Sequence, residues 1–297
     1  MRDRSWVNAL LFALTCWSTY QSGGPVFAAT LMTILVTHEM GHYVTARRHG
    51  LDVSLPYFIP LPFIGIGTLG AVIRMRRPIE GRDALADVGM SGPLAGLVVA
   101  VPLLVIGLVL SPVTEIREGP AILEGNSVLY LGLKLLVKGQ LLPSGGLGQP
   151  LIDVQLGPMA MAAWVGLLVT FINLIPVGQL DGGHVAAALL GDRYERIAPW
   201  VHRGLAVVGG GVLVWLALAA HGAGRDLGGS LQYGIFGALP WLVWMLLLVL
   251  MRRMSGGRYH PPVGTEPLSP GRRRLCWVVA IVFVLLFTPV PMREALL

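Results

Sequence analysis

The sequence contains few charged residues: 13% are Asp, Glu, Lys or Arg, whereas a soluble domain usually carries about 25%. That deficit excludes an ordinary soluble domain, because too few charges remain to cover a surface that faces water on all sides. The mean hydropathy of +0.69 instead predicts a polytopic membrane protein. No stretch is long and polar enough for a separate soluble domain, so residues 1–297 are predicted to form one transmembrane domain.

Cysteine is also scarce. Cys16 and Cys276 lie far apart in apolar segments, which excludes a disulfide framework and a cysteine-based zinc knuckle. Aromatic residues do not alternate with the arginines, so the net charge of +6 does not indicate a nucleic-acid groove. The expected partners are therefore a lipid bilayer and a membrane-embedded substrate, with no nucleic acid.

Long apolar runs dominate what remains. A helix needs about 20 residues to cross the hydrocarbon core, and the first run is short for that. The pattern predicts an all-α polytopic membrane protein with six to seven transmembrane helices. The runs cover residues 6–20, 25–46, 85–111, 158–176, 200–220, 233–251 and 275–292.

The positive charges predict an orientation. If the N-terminus is cytoplasmic and every run crosses once, most of the 22 lysines and arginines lie on the cytoplasmic side, as the positive-inside rule requires. The exceptions are Arg117, Lys134, Lys138, Arg225 and Arg293. This bias predicts a bacterial inner membrane or a related one.

Three segments interrupt the runs. Prolines and glycines in residues 55–73 exclude a straight spanning helix, and Val, Ile, Tyr and Phe there favour extended chain. We expect a small re-entrant loop or sheet beside a cavity and near the active site. Residues 112–157 are too polar to span, with an interfacial helix expected at 128–137. Residues 254–274 are predicted to be a cytoplasmic loop.

The strongest chemical signal is the segment His38-Glu39-Met40-Gly41-His42 inside the run 25–46. Residues four apart share one face of a helix, so both imidazoles can reach one metal ion. Glu39 is offset by one position, which suits a general base that acts on water without binding the metal. Polar residues in a bilayer are costly and usually functional.

A catalytic zinc site takes three protein ligands and leaves one position for water. Asp181 is the best candidate for the third ligand, because it follows a chain broken at Pro176 within the apolar segment 173–182. It also suits the N-cap of a short helix over 182–190. Asn173 is interpreted as an oxyanion donor or as an interhelical hydrogen-bond partner. For His184 an outer-shell or helix-end contact is favoured over a fourth ligand.

HEMGH followed by NLIPVGQLDGG resembles the site-2 protease family of intramembrane zinc metalloproteases, and is most similar to its EGY-like branch. The resemblance covers roughly residues 25–290. It implies one catalytic Zn²⁺ held by His38, His42 and Asp181, with Glu39 as the catalytic base. It also implies peptide-bond hydrolysis within or near a transmembrane segment of a substrate protein. No room is seen for an inserted PDZ domain or a CBS pair.

Two further stretches match that family: residues 67–73 and the Gly92–Gly96 segment that opens the third span. Residues 55–72 are expected to add an unwound substrate as an extra strand, with Gly67, Gly70 and Ala71 offering backbone to it.

Two rivals stay open. One is a metalloprotease with glutamate as third ligand, for which Glu195 is the nearest candidate. The other is a metal-binding transporter, although its ionisable residues would be spread along a path. The remaining histidines are interpreted as solvated or interfacial: His49, His202, His221 and His260.

Overall fold

Helices account for most of the computed structural model, which describes residues 5–63, 65–76, 78–116, 122–145 and 150–295. Four of the arginines used to predict the orientation lie outside these residues: Arg2, Arg4, Arg77 and Arg117. The helices are α1 (Ser5–Arg48), α2 (Arg82–Leu110), α3 (Val128–Lys138), α4 (Pro158–Asn173), α5 (Asp181–Leu190), α6 (Tyr194–Gly222), α7 (Leu227–Met254) and α8 (Pro270–Leu286).

The first two predicted runs form one helix with a break. Gly24 has a φ of 77° and a ψ of −175°, values that glycine adopts without a steric penalty. Pro25 follows directly and begins the second half, where its fixed φ suits a first helical position. The second half ends at Arg47 and Arg48, whose charges favour a helix C-terminus. The apolar run 25–46 is therefore a helix, as predicted.

Three helical stretches of the described residues are long and apolar enough to cross a membrane: Arg82–Leu110, Asp181–Gly222 and Leu227–Met254. The second combines α5, a 3₁₀ turn at Gly191–Arg193 and α6. Helix α4 is a shorter apolar helix. The chain is thus a mostly helical membrane protein, while the predicted count of six to seven spans stays a prediction.

Residues 55–73 contain a β-hairpin of β1 (Tyr57–Pro60) and β2 (Thr68–Val72). The strands pair antiparallel with a bulge between Phe58 and Pro60. The hairpin lies along the first half of α1, where the Asn8 amide donates to the carbonyls of Leu55 and Pro56. Near its tip, the Ser18 hydroxyl donates to the Gly67 carbonyl. The small sheet predicted at 55–73 is therefore present.

The segment after α2 contains a helix where one was expected at 128–137, namely α3, and adds short strands to it that form a small lobe. Strand β3 (Val113–Ile116) pairs with β5 (Leu151–Val154), and β4 (Ile122–Glu124) pairs with β6 (Met292–Glu294). Helix α3 packs beside them. The predicted last run, 275–292, was too long, because Pro289 and Pro291 follow the end of α8. We call β3–β6 and α3 the outer lobe.

Candidate metal centre

His38 and His42 lie one turn apart on the second half of α1, and both are buried. Their Nε2 atoms are 3.1 Å apart. The Nδ1 of His42 lies 2.7 Å from the Val88 carbonyl. A carbonyl only accepts, so Nδ1 carries the proton and Nε2 keeps its lone pair for a cation. Such a hydrogen bond orients a metal-binding imidazole.

Helix α2 forms the wall behind the two imidazoles. A Cβ on Gly92 would lie 2.0 Å from the His42 Nε2, and one on Gly96 would lie 3.3 Å from the His38 Nδ1. Gly41 makes the reciprocal approach, since a Cβ there would lie 2.5 Å from the Ser91 carbonyl oxygen. Only glycine leaves room for the His42 ring at position 92. The match at 92–96 seen in the sequence thus has a steric reason.

Asp181 reaches the same point from the turn that follows α4. Gly178 adopts a φ of 71°, which reverses the chain after Pro176. Gly182 and Gly183 do not have a positive φ; instead a Cβ on either would lie within 2.3 Å of the Leu174 or Gly178 carbonyl oxygen. These glycines therefore allow close approach rather than unusual backbone angles, so that α5 begins directly against the turn.

The Asp181 carboxylate closes the cluster. Its oxygens lie 3.2 Å from the His38 Nε2 and 3.3 Å from the His42 Nε2. The N-cap of α5 is Leu180, and no side chain caps the helix, so the predicted N-cap role of Asp181 is wrong. Its carboxylate faces the two imidazoles instead.

The donor set fits zinc. Ligands at about 2.0–2.1 Å in a tetrahedron lie about 3.3–3.4 Å from one another, close to the 3.1–3.3 Å measured between these atoms. Two imidazoles and one carboxylate leave a fourth position open, as catalytic zinc sites do. Within the described part of the chain this is the one His/Cys/Asp/Glu cluster with such spacing.

Glu39 and Asn173 flank the cluster. Glu39 is 6% exposed, and no hydrogen bond to its carboxylate comes from any described residue, which leaves it free to take a proton. The amide nitrogen of Asn173, at the end of α4, lies 3.4 Å from the His38 Nε2. Both residues therefore lie beside the three candidate ligands.

Two positions, Glu195 and His260, differ from the sequence-based expectation. Glu195 lies outside the cluster, because its carboxylate accepts from the backbone N–H groups of Tyr259 and His260; it is not a third ligand. His260 is buried and not solvated. Its Nε2 lies 2.7 Å from the Nδ1 of His184, a contact between distant segments that no sequence pattern indicated. The Val88 carbonyl was also missed, since it is a backbone group.

The hairpin residues Gly67, Gly70 and Ala71 lie on or beside β2. Gly67 packs against the Ser18 backbone in the first half of α1. Gly70 has a φ of 93° and open space around it. These residues are thus grouped with the first half of α1, while the two histidines lie on its second half.

The fold and the site together define a class, namely a mostly helical membrane protein with two buried histidines and a half-buried aspartate whose spacing fits one metal ion. Residues 26–217 match Peptidase family M50, and the chain belongs to this family, the site-2 protease family. The resemblance seen in the sequence is confirmed.

Several plant proteins are similar to this chain. It is 35% identical over 168 residues to the Probable zinc metalloprotease EGY2, chloroplastic, of Oryza sativa subsp. indica, covering 56% of this chain and 29% of that protein. It is 30% identical over 263 residues to the Probable zinc metalloprotease EGY1, chloroplastic, of Arabidopsis thaliana, covering 88% and 42%. The chain thus spans less than half the length of these relatives. No solved structure matches it.

Proposed function

We propose that this protein is a zinc-dependent intramembrane protease that hydrolyses a peptide bond within or near a transmembrane segment of a substrate protein. The observation that carries the proposal is the convergence of His38, His42 and Asp181. Beside them lies Glu39, which is buried and accepts no hydrogen bond from any described residue. Membership in a peptidase family and the names of the relatives support it.

In this proposal His38, His42 and Asp181 hold one Zn²⁺. Zinc, when bound, supplies a Lewis acid that activates water and polarises a carbonyl. Glu39 accepts the proton of the attacking water on its carboxylate and passes it to the leaving nitrogen. The Asn173 amide donates a hydrogen bond to the developing oxyanion. Val88 keeps the His42 ring in the tautomer that leaves Nε2 free.

The hairpin is proposed to bind the unwound substrate. Strand β2 pairs with β1 on one side, and among the described strands nothing pairs with its other edge. Extended peptides add to such an edge through main-chain hydrogen bonds. Leu69 and Val72 on this strand are exposed, and Gly70 and Ala71 between them are half-buried, with open space around Gly70. Gly67 precedes the strand and packs against Ser18, so it holds the hairpin on α1. A photo-crosslinker at Leu69 is expected to capture substrate; adducts only with a crosslinker placed at exposed Trp277 on α8 would contradict this.

Orientation is proposed from the charges and supported by contacts. The loops assigned to the cytoplasmic side lie together, since Arg82 donates to the Ala188 carbonyl and Arg272 pairs with Asp87. The loops assigned to the opposite side of the membrane meet at the outer lobe, where Arg225 forms an ion pair with Glu294. The N-terminus is therefore proposed to be cytoplasmic. The bacterial inner membrane remains the compartment proposed from the sequence, although the relatives named above are chloroplast proteins.

The test is cleavage of single-span substrates by purified full-length protein in liposomes. Glu39→Gln should lower the rate by about 10²–10⁴-fold while zinc content stays unchanged, because a general base typically contributes that much. Asn173→Ala should cost about 10²–10³-fold, the usual loss for one oxyanion donor.

Mass spectrometry of the products completes the experiment. The proposal expects cleavage in the half of the substrate helix nearer the cytoplasmic side, since His42 lies just before Arg47 and Arg48. Full activity of Glu39→Gln would favour the transporter alternative and would contradict the proposed protease mechanism. Cleavage in the opposite leaflet would overturn the orientation alone.

A further inference from the structure

Residues 255–269, between α7 and α8, form a segment that we call the strap. It crosses the cytoplasmic ends of other elements and is fixed along its length by hydrogen bonds. Its contacts are Gln179 with Ser255, Glu195 with the N–H groups of Tyr259 and His260, Gly264 N–H with the Glu80 carbonyl, and Ser269 N–H with Asp83. The strap therefore joins α5 and α6 to the start of α2.

One strap contact reaches the helix that carries Asp181. The Nδ1 of His260 lies 2.7 Å from the Pro261 carbonyl. Since that oxygen only accepts, Nδ1 is protonated and Nε2 is an acceptor. The Nδ1–H of His184 then donates to the His260 Nε2 across 2.7 Å. Burial lowers the pKa of the His260 imidazole, which favours the neutral form that this hydrogen bond requires.

His184 occupies the first turn of α5, three residues after Asp181, so the two side chains lie on neighbouring parts of one helix face. That turn is packed directly against α2: a Cβ on Gly89 would lie 3.0 Å from the His184 Cβ and 3.1 Å from the Asp181 carbonyl oxygen. A shift of His184 is therefore a shift of the backbone that carries Asp181.

Apart from this packing, few side-chain hydrogen bonds hold helix α5 at this end. It is ten residues long and no side chain caps its N-terminus. In the described structure the Asp181 carboxylate has contacts only with His38 and His42. The opposite end is held by Arg82, whose guanidinium donates to the carbonyls of Ala188 and Leu189. The His184–His260 bond is the matching restraint at the end where the ligand lies.

We propose that His260 is a positioning residue of the metal centre, which acts through His184 to hold Asp181 in ligating geometry. The strap is then an outer-shell element of the site and not only a connection between α7 and α8. This inference rests on the proposed function, since it takes His38, His42 and Asp181 as the ligands.

The experiment is Co²⁺ binding to the metal-free full-length protein in detergent, followed by the visible absorption that reports ligand geometry. His260→Ala should weaken Co²⁺ binding by about 10–100-fold, the usual cost of losing an outer-shell partner, and should alter the spectrum. His260→Gln should keep most of the affinity, because its amide oxygen can accept from His184 where Nε2 did.

Two controls separate positioning from loss of the strap's structure. Tyr259→Phe removes only the hydroxyl contact with the Nδ1 of His202 on α6, and it should leave affinity and spectrum unchanged. His184→Ala should match His260→Ala, and the double variant should be no worse than either, because the two residues share one interaction.

The outcomes are distinct. A wild-type protein that binds no Co²⁺ would defeat the proposed function itself. Wild-type binding with unchanged affinity in His260→Ala would defeat only the positioning role. Equal losses in His260→Ala and Tyr259→Phe would also defeat it, as they would show general loosening of the strap. If His260→Ala does not fold, failure of His260→Gln to bind better than His184→Ala decides against the proposal.

Discussion

Two buried polar clusters in this molecule differ in whether they contain their own cation. In the outer lobe, Lys134 is fully buried and its ammonium lies 3.1 Å from Asp153 and 3.7 Å from Glu124. In the metal centre, His38 and His42 face Asp181, and no described lysine or arginine pairs with that carboxylate. The first cluster is closed in the sense that both of its carboxylates face a cation supplied by the chain itself, whereas the second presents acceptor atoms to one point.

The difference shows how a structural network can be told from a ligand site. The Tyr130 hydroxyl donates to Glu124 at 2.8 Å, and the Lys134 ammonium also lies over the Tyr130 ring, so each charged group has a partner. Buried charges require such pairing. Around Asp181 the pairing needs a cation from outside, either protons or a metal ion, and the spacing of the donors suits zinc.

The largest expected effect follows from removing the carboxylate of the metal centre. Asp181→Ala should weaken Zn²⁺ or Co²⁺ binding by more than about 100-fold, because it removes a ligand. The loss of an outer-shell partner costs at most about 100-fold, and the loss of a ligand should cost more. The measurement is metal titration of the purified protein. The matched control is Asp153→Ala, a buried aspartate of the outer lobe, which should leave metal affinity unchanged. Similar losses in both would erase the distinction between the clusters.

A smaller effect, on stability, is expected from removing the cation of the closed cluster. Lys134→Met should destabilise the outer lobe by about 3–5 kcal/mol, because it leaves buried carboxylates without a counter-charge. Thermal unfolding in detergent measures this, and metal affinity of the folded protein should not change. An unchanged melting temperature would contradict the closed network.

The pH dependence of that variant has a definite sign. Burial raises the pKa of Glu124, while Lys134 opposes the rise; without Lys134 the pKa should rise further. A carboxyl group with a raised pKa in the folded state favours folding at acid pH, and this contribution is lost as pH rises through that pKa. The loss of stability caused by Lys134→Met should therefore become smaller as the pH is lowered.

The parts of the site that the sequence predicted are those that local rules determine. His38 and His42 share a helix face because they are four residues apart, and their apolar surroundings make them unusual. Asp181 was found because Pro176 and Gly178 break an apolar helix just before it. The helices were predicted for the same reason, with ends shifted by a few residues where prolines or glycines stop them.

The parts that escaped prediction depend on contacts between distant segments. Strand β4 pairs with β6, more than 160 residues later, and three-residue strands carry no recognisable alternation. His260 is buried because it hydrogen-bonds with Glu195 and His184, which lie on other helices. The Val88 carbonyl orients His42 without any sequence signature, because every residue has a carbonyl.

Gly92 carries no chemistry, yet it decides whether His42 can occupy its place. With any other residue at that position, the first side-chain carbon would occupy the volume of the His42 imidazole nitrogen that faces Asp181. The coordinating geometry is therefore encoded partly by an empty volume on a neighbouring helix. A search for active-site positions that considers only reactive side chains would pass over Gly92, where even a methyl group would overlap the His42 ring.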